Sequence, residues 1–284
     1  MRHFFVNRDY LEVETPLRIP APAPEAHIDA QPSGGWFLHT SPELCMKRLL
    51  AAGYSRIFQI CKCFRQNERG DKHLPEFTIL EWYAEKTDYW DMMEECEEMI
   101  RYVAKKTGYG ETLHYQGQTI DLAKPWERLS VARAFEKYAS IPLKKALSDN
   151  RFDEVLAEAI EPFLGRSKPV FLYDYPVEKG ALARLKLNDH QYVERFELYI
   201  SGIEICNAFS ELTDSSEQRL RFESERDLRS SLGKDVYPMP ERFLNRLSYM
   251  PEASGNALGI DRLVMLFGSL ATIDDVTVFI PEEL

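Results

Sequence analysis

The chain has 284 residues, 44% of them hydrophobic, which is enough apolar material for one large domain with a packed core. A formal charge of −11 argues against broad, sequence-independent nucleic-acid binding, which needs Lys and Arg to neutralise phosphates. Five cysteines (Cys45, Cys61, Cys63, Cys96 and Cys206) form neither a CxxC pair nor an even framework, which argues against disulfides and a zinc site and fits a reducing cytoplasm. The N-terminus is charged throughout, and no run approaches the roughly 20 apolar residues of a spanning helix, so neither a signal peptide nor a membrane segment is expected.

Arg2 to Tyr10 has the pattern of an amphipathic helix end, followed by an extended LEVETP in which Pro16 stops any helical continuation. Residues 20–35, PAPAPEAHIDAQPSGG, are a Pro-rich connection expected to cross the surface. In TSPELCMKRLLAAG, Thr40 or Ser41 can cap a helix, Pro42 suits its first turn, Glu43 complements its positive end and Gly53 closes it. RIFQICKCFRQ (56–66) and EFTILEWYAE (76–85) predict two antiparallel strands joined by a long polar loop. Strand alternation puts Phe77, Ile79, Glu81 and Tyr83 on one face, and Gln59, Cys61, Cys63 and Arg65 on one face of the partner strand.

Residues 87–108 predict a helix capped by Thr87 or Asp88 and closed by Gly108. A small hairpin over 110–122 and short helical runs over 126–165 suggest an insert at about 110–168. VFLYDYP (170–176) reads as a buried strand, and ERFELYI and IEICNAFSEL flank Ser201-Gly202 as a second hairpin. DSSEQRLRFESERDLRSSLG predicts a long charged helix, and SGNALGIDRLVMLFG a strand, a Gly-rich turn and a terminal helix. Hairpin-linked strands with helices between them predict a single α+β domain around an antiparallel β-sheet flanked by helices, not a Rossmann sheet.

Three segments place charged residues on strands or at strand ends: Arg65 with His73, then Glu197, Glu204, Asn207 and Glu211, then Asp261-Arg262. Taken singly, each is most simply a solvated surface charge. Together, carboxylates beside guanidinium forks suit a metal-bridged polyphosphate.

FRQNERGDKHLPEF resembles motif 2 of the class II aminoacyl-tRNA synthetases, GNALGIDR resembles their motif 3, and the helix ending in LEVETP resembles motif 1 with its Pro16. The resemblance covers nearly the whole chain. Within that class, TSPELCMKRLL, EFTILEWY and IEICNAFSELTD are similar to the lysyl-tRNA synthetase core. The chain opens inside the motif 1 helix, so no anticodon-binding barrel is expected. With SPE-x-x-MKRLL, HxPEFTxLEWY and SGxALGxDRLVML, it looks closest to the elongation factor P lysine ligases, paralogues that attach a lysine-type amino acid to a lysine side chain of elongation factor P.

That resemblance implies a homodimeric, cytoplasmic ligase, dependent on ATP and Mg²⁺, that activates lysine or (R)-β-lysine as an adenylate. Arg65 and Arg262 would be catalytic, and ATP would be held by Arg65, Asn67, His73, Phe77, Glu204, Ile205, Gly259 and Arg262. Ser41, Glu43, Glu81, Tyr83, Asn207 and Glu211 would bind the amino acid, with Glu81, Tyr83 and Glu211 around its distal ammonium. Glu197 and Glu204 would hold Mg²⁺. Glu204 and Glu211 are seven apart, so facing one way requires a bulge, expected near Ala208. Departures from the family pattern are Asn67 in place of Glu, with Glu68 next, Leu74 in place of Asn, Ala208 in place of Gly, and Cys206 where a smaller residue stands. The last is expected to change the room around the amino acid. Two other readings stay open: a stand-alone lysyl-tRNA synthetase-like core charging tRNA or another carrier, with tRNA disfavoured by the acidic balance, and a non-catalytic regulatory paralogue.

Overall fold

A short helix, α1 (Arg2–Val6), leads into β1 (Leu11–Glu12), and a small three-stranded ribbon follows from β2 (Arg18–Ile19), β3 (Pro32–Ser33) and β4 (Trp36–Leu38). The computed structural model describes residues 1–180 and 182–284. Helix α2 (Glu43–Leu50) precedes the long hairpin of β5 (Arg56–Phe64) and β6 (Glu76–Glu85). Helix α3 (Tyr89–Lys106) starts at Asp88, whose side chain accepts from Trp90 and Asp91 while Asp91 reciprocates, a capping box that fixes the chain's exit from β6. A small hairpin, β7 (Thr112–Tyr115) and β8 (Gln118–Asp121), leads to β9 (Glu127–Ser130) and to helices α4 (Val131–Tyr138), α5 (Leu143–Ser148) and α6 (Phe152–Val155). The chain ends through β10 (Val170–Pro176), β11 (Tyr192–Ile200), β12 (Ile203–Ser210), α7 (Ser215–Ser231), α8 (Glu241–Leu247), β13 (Ala253–Gly259) and α9 (Ile260–Phe267).

Eight of these strands form one sheet in the order β1-β5-β6-β13-β12-β11-β10-β9. Only its edges are parallel, β1 with β5 and β9 with β10, so the six central strands give the expected antiparallel α+β core. The segment 110–168 is not set apart from this sheet, because β9 within it supplies the last strand. No Gly-rich turn separates β13 from α9: the strand runs directly into the helix at Ile260.

Alternation divides the sheet's two faces as side chains of period two must. One face packs Phe58, Leu80, Trp82 and Leu258 against α1, α3 and α9 in the main core. The other face carries Gln59, Glu81, Tyr83, Asn207 and Phe209, with α2, α7 and α8 covering part of it. The bulge is real but sits earlier than expected. Leu198 pairs with Cys206 and Tyr199 with Glu204, so Ile205 is the extra residue and pairing through Ala208 is regular. That one insertion puts Glu204 on the same side as Asn207 and Phe209.

Candidate active site

The loop between β5 and β6 closes over a pocket lined by Arg65, Glu68, His73, Phe77, Glu204, Ile205, Gly259 and Arg262. The Arg65 guanidinium lies 5.0 Å from the centre of the Phe77 ring, a cation–π arrangement that leaves the ring flanked by charge. Arg262 is the hub of the loop. Its Nη1 donates to the Glu204 carbonyl at 3.0 Å and carboxylate at 3.1 Å, its Nε to the Lys72 carbonyl at 3.2 Å, and its Nη2 lies 2.5 Å from His73 Nε2. Burial, reinforced by the Arg262 charge, lowers the His73 pKa, so a neutral imidazole accepts from that guanidinium. Burial works to raise Glu204, but Arg262 and Arg65 outweigh it and hold the carboxylate below its ordinary range.

Asn67 is not in this pocket. It is exposed at φ 63°, a left-handed position that Asn tolerates, and the turn it makes brings Glu68 to the lining instead, with Arg65 Nη1 3.5 Å from its carboxylate. Leu74 is buried and lines the same pocket. At the loop's outer end Arg69 pairs with Asp274 and Glu282, both at 2.9 Å, and Ile273 N–H donates to Asp71 O, so the C-terminal segment clasps the loop.

A second, acidic chamber adjoins the first. Ser41, Glu43, Glu81, Tyr83 and Asn207 line it together with Glu25, Arg195 and Ala257, and Arg65, Ile79 and Glu204 belong to both chambers. The Ser41 hydroxyl donates to Glu81 at 2.6 Å while accepting from the Glu43 N–H at 3.0 Å, and the Tyr83 hydroxyl donates to the other Glu81 oxygen at 3.0 Å. Ser41 thus works one residue ahead of the cap position, which Pro42 occupies. Burial and the neighbouring Glu43 push Glu81 up to about 8, burial and Glu43 push Glu25 up to about 7, and burial takes Glu211 to about 8 despite Lys47.

Lys47 was hidden in the helix pattern. Its buried ammonium lies 2.5 Å from both Glu43 and Glu211 and 4.8 Å from the centre of the Phe209 ring. Glu211 therefore meets an internal cation, whereas Glu81, held by Ser41 and Tyr83, faces the chamber without one among the described residues.

The match of the family model for tRNA synthetases class II (D, K and N) extends over residues 1–283. The chain belongs to that family. Among curated members similar to it are the elongation factor P–(R)-β-lysine ligases of Sodalis glossinidius, 39% identical over 100% of this chain and 92% of the relative, and of Hamiltonella defensa, 38% identical over 98% and 91%. The ligase of Proteus mirabilis is also 38% identical over the same shares. Two of the three synthetase motifs therefore converge here, joined by β12: the β5–β6 hairpin supplies Arg65 and Phe77, the β13–α9 junction supplies Gly259 and Arg262, and β12 supplies Glu204.

Of the two carboxylates expected at a Mg²⁺ ion, Glu204 fits: it faces the first pocket and offers hard oxygen donors with Arg262 as its ionic partner. Glu197 does not fit as it stands. It is buried, and it accepts from Tyr175 and Tyr199 at 2.6 Å, from Arg195 at 2.7 Å and from Asn207 at 3.3 Å. It acts as an internal anchor that orients Arg195 and Asn207 towards the chamber. Cys206 points away from the acidic chamber into the core, 3.7 Å from Cys96 Sγ, so its size does not set the room there.

The segment 20–35 does more than cross the surface. Arg229, buried on α7, donates to the carbonyls of Glu25 at 2.8 Å and Ile28 at 2.9 Å and to Asp29 at 2.8 Å, which places Glu25 and Ile28 in the chamber wall. The sequence carries no local signal for this pairing across some 200 residues.

Proposed function

We propose that this chain is an ATP-dependent, AMP-forming ligase that activates (R)-β-lysine and transfers it to a lysine side chain of elongation factor P. The names of its relatives support the substrate and acceptor. One structural observation carries the chemistry: Arg65 and Glu204 line both chambers, so a nucleotide in one and an amino acid in the other would meet at Arg65.

In this reading Phe77 stacks with adenine, and Arg262 and His73 contact the distal phosphates. Arg65 stabilises the charge that develops as the amino-acid carboxylate attacks the α-phosphorus and pyrophosphate leaves. The Glu81 carboxylate, oriented by Ser41 and Tyr83, receives the distal ammonium, since a buried cation needs a carboxylate to offset its desolvation. Mg²⁺, held at Glu204, would neutralise phosphate charge. The acceptor lysine amine then attacks the acyl carbon and AMP leaves; no covalent enzyme intermediate is required, and the acceleration comes from orientation and electrostatics. The motif 1 resemblance supports a homodimer, and a cytoplasmic setting fits the free cysteines; among the described residues no helix is long and apolar enough to cross a membrane.

The test is amino-acid-dependent ATP–pyrophosphate exchange with (R)-β-lysine, L-lysine or neither, followed by mass spectrometry of added elongation factor P. Exchange with (R)-β-lysine and a matching mass gain on the factor are expected. Exchange without transfer would sink the acceptor assignment, and absence of exchange with either isomer would sink the activity.

A further inference from the structure

Cys61 and Cys63 are two apart on β5, so their side chains leave the same face of the strand. His39, just after β4, is drawn to them because Phe64 N–H donates to His39 O at 3.0 Å. Its Nε2 lies 3.8 Å from Cys63 Sγ and 4.0 Å from Cys61 Sγ, and the donor atoms of all three residues fall within 4.8 Å of one another. We propose that His39, Cys61 and Cys63 form a binding site for one zinc-class divalent cation, on the β5 side of the sheet face that carries the amino-acid chamber.

The geometry is close to what such an ion demands. With bonds of about 2.3 Å to sulfur and about 2.0 Å to nitrogen, a tetrahedral ion separates its donors by roughly 3.5–3.8 Å, so each donor here needs to shift by less than about 1 Å. Two thiolates and an imidazole are a borderline-soft set that selects zinc over magnesium, which separates this site chemically from Glu204. His39 and Cys63 are buried, so two of the three donors are already withdrawn from solvent. Cys61 is only half-buried and gives the ion a way in.

Binding balances in protons. Each thiol releases one proton to solvent as its sulfur takes the ion. The imidazole now donates from Nε2 to the Lys62 carbonyl at 2.7 Å; that proton moves to Nδ1, which frees the Nε2 lone pair for the metal. His39 stands two residues before Ser41 and Cys63 two before Arg65, so a bound ion would clamp together the two segments that deliver these side chains to the acidic chamber.

The experiment uses the full chain, reduced and chelator-treated, titrated with Co²⁺ as a spectroscopic stand-in and then with Zn²⁺. One equivalent of Co²⁺ is expected to give thiolate-to-cobalt charge-transfer absorption that Zn²⁺ displaces, with a thermal midpoint that rises with metal concentration. Cys61→Ser, at a half-buried position, is expected to weaken binding at least tenfold, whereas Cys45→Ser, outside the cluster, is expected to bind like the parent. Absence of the charge-transfer band, or equal affinity in Cys61→Ser, would overturn the site.

Discussion

The ammonium of Lys47 lies 2.5 Å from a carboxylate oxygen of Glu211, and both side chains are shut away from solvent. Burial works to strip the Lys47 proton, but Glu211 and Glu43 outweigh it and raise its pKa, so the two carboxyl groups it touches keep the buried ammonium charged. Removing one partner of such a pair strands the other charge, at a cost of about 3–5 kcal/mol. Lys47→Met is therefore expected to lower unfolding stability by about that amount, measured by urea denaturation. Adding Glu211→Gln should recover part of the loss; a double variant no more stable than the single would contradict the pairing.

Glu81, pushed up to about 8 by burial and by Glu43, is largely protonated in the free chain at pH 7. A cationic substrate needs its carboxylate, so binding should release a proton and tighten as pH rises from about 6.5 to about 8.5. Calorimetry in buffers of different ionisation heat measures that proton directly. The stability sign is the reverse: a carboxyl raised in the folded state contributes stability fully present below about 4.5 and lost as pH rises towards 8. Glu81→Gln should flatten both profiles.

Arg65→Ala removes the guanidinium common to both chambers while leaving the buried sheet intact. Pyrophosphate exchange should fall by at least about 10²–10³-fold, the cost of losing one preorganised transition-state donor. The thermal midpoint should barely move. Exchange retained at the parent rate would remove Arg65 from the chemistry.

Gly255 has no room for a side chain. A Cβ there would stand 2.2 Å from the Tyr83 ring and 2.5 Å from Glu211 Oε1. Gly255→Ala is expected to raise the KM for the amino acid and to cost about 1–3 kcal/mol of stability by overpacking. The KM for ATP, bound in the neighbouring chamber, should stay close to the parent value.

The hairpin half of the site was legible because strand alternation is a local rule: Phe77, Ile79, Glu81 and Tyr83 share a face in the structure as the period-two pattern demands. The bulge was legible as a necessity but not as a position, since a register shift at Ile205 depends on the facing β11. Lys47 and Arg229 carry no local signal of burial, and only tertiary packing turns them inward against Glu211 and the 25–29 segment. Glu197 looked free because its saturating phenols, Tyr175 and Tyr199, come from another strand and from two residues along its own. His39 met Cys61 and Cys63 across a ribbon no sequence spacing encodes.

Arg65 belongs to both chambers, so on the proposed reading nucleotide and amino acid are expected not to bind independently of its position. Whatever factor ATP imposes on the affinity for the amino acid, the amino acid must impose on the affinity for a non-reactive ATP analogue, whichever is added first. On that reading a single shared side chain would make the two substrates each other's effectors before any bond is formed.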